Sequence, residues 1–260
     1  MPKRLTGTRE WAQHSVNCYL GCPHDCRYCY AREAAVRRKL TTWEDWKTPR
    51  ANMRAVHRRY GLMPGRVMFP TTHDITPTML PECMTVLQKL LEAGNEVLVT
   101  SKPHLGCIKW ICRDLAGCGY RPLLEFRFTI TSGSDQQLEY WEPGAPRLAE
   151  RYAALAHAKA AGWRTSVSIE PCLDLRDVHN LIELVEPHVT GTIWIGLLNR
   201  PKQRVRVTCE KDREELDYVL SGQTRERVTA VYARLADNPK LRWKDSVRRL
   251  LGLPPATEPE

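Results

Sequence analysis

The sequence predicts an α/β fold, a partial (β/α)6 barrel of the TIM type, on three observations. Short apolar runs alternate with helix-length amphipathic stretches, the pattern of parallel βα units. Six such units can be counted, too few to close a full barrel. Polar side chains gather just after several of the runs, where parallel barrels carry their working groups. A length of 260 residues suits one domain of this type.

Residues 1–14 read as an exposed N-terminal arm. Ser15-Val16-Asn17-Cys18-Tyr19 reads as the first strand, leading into a cysteine-rich loop. Ala31 to Leu40 predicts a helix with Ala34, Ala35 and Leu40 facing inward. Thr41 to Gly65 is polar, basic and broken by Pro49 and Pro64, so it reads as an excursion from the core. Arg66–Phe69 is the second strand, and Met79, Cys83, Val86, Leu87 and Leu90 give Thr78–Gly94 helical spacing. Glu96–Thr100 is the third strand, with a helix over Leu105–Ala116. Phe126–Thr131 alternates as a fourth, and Leu148–Ala161 follows as a helix ended by Gly162. Thr165–Ile169 with its helix Leu173–Val185, then Thr192–Leu197, complete the six strands. Residues 15–200 therefore form the core, and 201–260 a helical extension with a basic tail in the same domain. Trp243-Lys244-Asp245-Ser246 either closes the open barrel edge or lies in a surface loop.

The strand ends are unusually polar. The second continues into Pro70-Thr71-Thr72-His73-Asp74-Ile75, and the third into Thr100-Ser101-Lys102-Pro103. The fourth carries Thr129 and Thr131 and runs into Ser132; the fifth ends in Glu170-Pro171-Cys172. Singly these are compatible with caps and turns, Asp74 as a helix cap and Ser132 as a turn residue. Around one mouth they supply hydroxyls, a cation and an acid.

The first strand delivers Gly21-Cys22-Pro23-His24-Asp25-Cys26-Arg27-Tyr28-Cys29-Tyr30, with cysteines spaced C-x3-C-x2-C. Thiolates are the ligands of iron–sulfur clusters, and a fully protein-ligated cubane takes four. Three leave one iron with an open position. A zinc knuckle is the competing reading, with His24 or Cys18 as fourth ligand, although zinc sites favour paired C-x2-C. A disulfide is poorer, since nothing else marks the chain as secreted. Cys107, Cys112 and Cys118 are spaced C-x4-C-x5-C on an amphipathic stretch and read as core thiols rather than an auxiliary cluster.

No apolar run is long enough to span a membrane, and the first residues lead into no signal core, which predicts a cytoplasmic chain without membrane partners. In such a chain ten cysteines are ligands or buried thiols. The net charge is +9, and residues 31–66 hold ten Lys/Arg against three acids, most of that excess. This distribution suits a polyanionic partner such as nucleic acid, and solubility equally well.

Taken in order, these segments resemble the radical S-adenosylmethionine (SAM) superfamily and, within it, the spore photoproduct lyase-like proteins. The likeness runs from residue 15 to 175 and rests on the cysteine loop, Thr71–Ile75, Thr100–Lys102, Phe126–Thr131 and Glu142-Pro143-Gly144 with Glu150-Arg151. It implies that Cys22, Cys26 and Cys29 hold a [4Fe–4S] cluster. Its open iron would chelate S-adenosyl-L-methionine, split by one electron from a reductant such as flavodoxin or ferredoxin. Tyr28 would lie near the adenine, His73 near the methionine amino end, Lys102 against its carboxylate, and Thr129 and Thr131 at the ribose, with Thr72 a further cofactor-binding residue. Two departures follow from the same resemblance. Thr71 stands where the lyase has a hydrogen-donating cysteine, and no counterpart is visible for its DNA-gripping hairpin. Tyr30 matches a hydrogen-relay tyrosine, and Cys172 is the candidate replacement donor, its other reading being a buried structural thiol. The expectation is thus a radical SAM enzyme acting on an unidentified substrate, with nucleic acid as candidate, rather than repair of a thymine lesion. The alternatives are a peptide- or metabolite-modifying radical SAM enzyme and a non-catalytic Fe–S or zinc module.

Overall fold

The computed structural model describes residues 4–260, so the first three residues of the expected arm lie outside the described residues. Strand β1 (His14–Ser15) is followed by β2 (Tyr19–Leu20), helix α1 (Tyr30–Arg37), β3 (Arg50–Ala51) and α2 (Met53–His57). Then β4 (Arg66–Phe69), α3 (Leu80–Glu92), β5 (Glu96–Ser101), α4 (Leu105–Asp114) and β6 (Leu124–Thr129) alternate. Helices α5 (Asp135–Trp141) and α6 (Leu148–Ala160) precede β7 (Arg164–Ile169), α7 (Val178–Val185) and β8 (Ile193–Ile195). The chain ends with α8 (Pro201–Arg204), α9 (Glu210–Gly222), α10 (Arg225–Leu235), β9 (Leu241–Trp243) and α11 (Asp245–Leu251). Among the described residues no helix is long and apolar enough to cross a membrane.

Seven strands form one wholly parallel sheet in the order β1-β4-β5-β6-β7-β8-β9, curled into a partial barrel. The expected partial α/β barrel is therefore present, with one strand more than the six counted. The seventh is β9, which pairs Ile193 with Leu241 and Ile195 with Trp243. The Trp243 segment thus extends the barrel edge. Three residues are too few to show a strand period, so only pairing reveals it.

Outward-facing Val67, Phe69, Val97, Val99, Phe126, Phe128, Val167 and Ile169 share one core with the helices. Burial on both faces is what parallel strands require. The inner face instead carries Met68, Leu98 and Trp194, packed with Trp11 and Ala12. The segment 4–14 is consequently only in part an exposed arm: after a 3₁₀ turn, Gly7–Glu10, the residues Glu10, Trp11 and Ala12 enter the barrel, Glu10 only 1% exposed, while Arg4, Thr6, Gly7, Arg9 and Gln13 stay exposed. Glu10 and Trp11 bring an acid and an indole to a cationic interior. Lys244 Nζ lies 2.9 Å from Glu10 Oε2 and 3.9 Å from the Trp11 ring centroid. Arg127 stacks on the same indole at 4.9 Å. Nothing periodic in residues 4–14 announces this, because a single turn shows no period.

Two further expectations are revised. The first predicted strand breaks after Ser15, because Asn17 turns to serve the end of β4: its Oδ1 accepts from Thr71 N at 2.7 Å and Thr72 N at 2.8 Å. The basic excursion is partly core, since Trp46 and Val56 are buried, while Leu40, expected inward, is exposed.

Candidate active site

At the C-terminal ends of the strands opens a cavity of about 420 Å³, lined by Cys22, Cys26 and Cys29 together with Tyr28, Tyr30, Thr72, His73, Lys102 and Thr129. Stretches scattered over the chain, from Thr6 to Ser246, thus reach one hollow. Its size falls in the range of small-molecule and cofactor sites.

The cysteine loop is held from all sides. Cys22 N donates to Trp46 O at 2.9 Å, and Arg27 N to Trp141 O at 2.8 Å. Arg32 donates to Cys26 O at 2.7 Å and also bonds Asp25, which sits at φ +50°, the left-handed region that asparagine and aspartate tolerate best among side chains. Gly144 N donates to His24 O at 3.1 Å, and a Cβ on Gly144 would lie 2.2 Å from Pro23 O. Gly144→Ala is accordingly expected to push the loop away, costing about 1–3 kcal/mol and lowering iron uptake on reconstitution. Urea unfolding and iron content check this; wild-type values of both would show that the close approach is dispensable.

Beneath the loop lies a chain of hydrogen-bonded polar groups. Buried His24 bonds Asp74 Oδ2 through Nδ1 at 2.8 Å and His104 Nε2 through Nε2 at 2.9 Å. Asp74 Oδ1 accepts from Lys102 N at 2.7 Å, and Lys102 Nζ stands 3.7 Å from Asp74 Oδ2. Burial opposes the charge on Asp74, but Lys102 and His24 outweigh it and hold the carboxyl well below the usual range. Burial likewise opposes the charge on Lys102, yet Cys26, Tyr28, Asp74 and Glu142 around it keep the ammonium well above its ordinary value. Lys102 is therefore a charged lysine in a nearly closed site, 5.8 Å from the Tyr28 ring centroid.

A second buried group supports Tyr28. Its hydroxyl donates to Glu142 Oε1, which also accepts from Thr131 Oγ1 at 2.8 Å, while Arg151 Nη2 lies 2.5 Å from Glu142 Oε2. Glu142 and Arg151 are fully enclosed, and Arg151 also donates to Pro146 O at 2.6 Å.

Tyr28, Thr72, Lys102 and Thr129 line the cavity. Tyr30 lines it too, its hydroxyl donating to Thr71 O. His73 is occupied elsewhere: Nε2 accepts from Cys18 N at 3.2 Å, which leaves Nδ1–H to donate to Asp74 O at 3.1 Å. That ring braces two backbone turns. Thr131 is wholly buried against Glu142, and Cys172 is buried behind the lining, its thiol raised by burial. Cys107 and Cys112 are core residues, and Cys118 is exposed with its thiol on Asp114 O, so the three do not converge. His24, Glu142 and Asn17 carry the local architecture, and no sequence spacing marked them for these roles. Glu142 and His24 stood inside recognisable segments, but only their contacts show what they do.

The residues present fit an iron–sulfur cluster. Three sulfurs face one cavity from a single short loop, and of the other thiols none lines that cavity. Burial raises all three thiols, Cys26 to about 12, so a metal centre would take them as thiolates and displace their protons. Thr100, another lining residue, has its Oγ1 buried without a hydrogen-bond partner among the described residues. Cys22, His24 and Asp74 also place one donor atom each within 4.8 Å of one another. Both ring nitrogens of His24 are already bonded, however, so it is not free as a fourth ligand to the cysteine trio.

Comparison with known proteins agrees with this geometry. The chain is 22% identical over 227 residues to an uncharacterized protein of Methanocaldococcus jannaschii, covering 86% of this chain and 83% of that one. Its fold is similar to spore photoproduct lyase complexed with dinucleoside spore photoproduct, at TM-score 0.55 and 15% identity, over 94% of this chain and 79% of that one. It is similar also to Streptococcus suis SuiB bound to S-adenosylmethionine, at TM-score 0.55 and 9% identity, over 95% of this chain and 54% of that one. Residues 16–185, well over half of the chain, match the radical SAM superfamily, and the chain belongs to that superfamily.

Proposed function

We propose that this chain is an enzyme that cleaves SAM reductively and abstracts hydrogen from a nucleic-acid substrate. One observation carries the reading: three cysteines, without a fourth, share a cavity with a buried lysine, an aromatic ring and hydroxyls suited to a nucleoside amino acid. Cys22, Cys26 and Cys29 would hold a [4Fe–4S] cluster, which with bound SAM supplies a 5′-deoxyadenosyl radical when an electron arrives from a donor such as flavodoxin or ferredoxin.

The protein's part is position. Lys102 keeps its charge in a low-dielectric wall and offers a charge-assisted contact to the methionine carboxylate. Asp74 orients that lysine from below. Tyr28, fixed by Glu142, presents its ring to the same space, and Thr72 and Thr129 present hydroxyls. Trp11 and Ala12 pack against Met68, Leu98 and Trp194 in the barrel interior, and Gly7–Trp11 form part of the cavity wall. Thr71 holds no exchangeable thiol where the related lyase uses a cysteine, which favours a reaction other than thymine-lesion reversal.

Support for nucleic acid comes from charge. Arg38, Lys39, Lys47, Arg50, Arg54, Arg58 and Arg59 are exposed, and none of them forms an ion pair among the described residues. Reconstituted protein with dithionite and SAM is expected to yield 5′-deoxyadenosine, and to be retained on immobilised DNA or RNA with steep loss as salt rises. Absence of 5′-deoxyadenosine from fully loaded protein would remove the enzymatic reading. Salt-insensitive or absent retention would shift the substrate to a peptide or metabolite.

A further inference from the structure

The cavity lining is electrostatically unbalanced in a specific place. Each of its carboxylates has a basic partner: Glu10 and Glu170 share Lys244, at 2.9 and 3.4 Å, Asp74 has Lys102 and His24, and Asp245 has Arg4. Two lining guanidiniums, Arg9 and Arg204, have no carboxylate within 4.0 Å among the described residues. Arg9 is exposed on the rim. Arg204 is half-buried in the wall, 5.7 Å from the Tyr30 ring centroid, and its side chain donates to no protein acceptor among the described residues.

A half-buried arginine without an acceptor costs free energy that a bound anion would recover. The nearest acids do not fill this role, because Glu33 is held by Arg37 at 2.8 Å and Glu170 by Lys244. Arg204 is also placed firmly. The preceding turn has Leu198 N on Gln223 Oε1 at 3.0 Å, and Gln223 Nε2 on Cys172 O at 2.8 Å. Cations continue outward from it: Lys202 beside it is exposed and unpaired among the described residues, and α8 packs against α1, beyond whose end lie exposed and likewise unpaired Arg38 and Lys39, while Arg206 and Arg37 are held by Glu44 at 3.5 Å and Glu33 at 2.8 Å. A single carboxylate ligand would need one cation, whereas a phosphodiester chain would meet the whole track.

We propose that Arg204 is the anchor for a backbone phosphate of the substrate, holding the adjoining nucleotide in the cavity beside Tyr30. This rests on the nucleic-acid reading above and names the residue that sets its register. The planar guanidinium suits a phosphate through paired donors, which lysine cannot reproduce.

The test uses cluster-loaded protein and a short fluorescein-labelled single-stranded oligonucleotide, read by anisotropy, with inorganic phosphate and succinate as competitors. Arg204→Gln is expected to weaken oligonucleotide binding roughly tenfold, Arg204→Lys to restore only part of it, and Arg234→Gln, on the far helix α10, to bind like wild type. SAM affinity, measured by calorimetry on the same samples, is expected to be unchanged by Arg204→Gln, and thermal unfolding confirms that each variant is folded. Phosphate should compete better than succinate. Equal oligonucleotide affinity in Arg204→Gln and wild type, no binding by wild type, equal competition by succinate, or a loss confined to SAM would each overturn the assignment. Failure of wild type to bind SAM while Arg204-dependent oligonucleotide binding persists would instead sink the radical reading and leave the anchor standing.

Discussion

Cys26→Ala protein is expected to emerge from anaerobic reconstitution colourless and to form no 5′-deoxyadenosine from SAM. A cubane held by three protein thiolates loses a third of its anchorage, and the remaining pair, Cys22 and Cys29, cannot close the loop around it. The fold should survive. Alanine keeps the Cys26 carbonyl, which accepts from Arg32 at 2.7 Å and from Cys29 N at 3.2 Å, and removes only one sulfur from the apolar cluster its side chain shares with Trp141 and Leu173. The measurements are iron and sulfide per chain, the visible spectrum, product analysis, and thermal unfolding to show that the variant is folded. The same substitution separates the rival metal reading. A zinc ion on Cys22, Asp74 and a His24 released from its present partners would not use Cys26, so a variant that keeps full metal as zinc would reject the cluster. Retained iron and retained product would do so equally.

The second large effect is on stability. Glu142→Ala is expected to destabilise the folded chain by about 3–5 kcal/mol, since it strands a buried guanidinium. Arg151 and Glu142 are both fully enclosed at 2.5 Å, and the carboxylate also receives Tyr28 and Thr131. Arg151→Met in the Glu142→Ala background should recover part of the loss, because the charge left unpaired is then gone. Urea unfolding of the single and double variants measures this; a single-variant loss below about 1 kcal/mol would show that water reaches the pair. The pH dependence has a definite sign. Burial opposes the charge on Glu142, but Arg151 and Lys102 outweigh it and hold the carboxyl below its ordinary value. Its contribution is therefore complete above about pH 4.3, the usual glutamate value, and is lost as pH falls through the lower folded value. Unfolding followed from neutral to acid should show wild type losing stability in that window and Glu142→Ala losing less.

By itself the sequence determined the chemistry of the loop and the order of the scaffold. The spacing of Cys22, Cys26 and Cys29 is local, so three thiolates on one short turn need no tertiary information to be read together. Strands β4 to β8 and helices α3, α4 and α6 were legible for a similar reason: each is long enough, or apolar enough, for its period to show within one window. The polar strand ends were legible as a set because parallel strands discharge on one side.

Only the tertiary structure decided which polar groups face the cavity and which hold up its walls. His73 and Thr131 resemble ligand-binding positions in sequence, yet one ring is consumed by Cys18 N and Asp74 O and the other side chain by Glu142. Cys172 ends a strand but sits behind the lining. Glu10 and Trp11 read as part of an arm, and they are buried by partners distant in sequence: Lys244 from the far end of the chain for both, with Met68, Leu98 and Trp194 around the indole. In each case the deciding partner is distant in sequence, and hydrogen-bond and charge pairing across that distance leave no trace in local pattern.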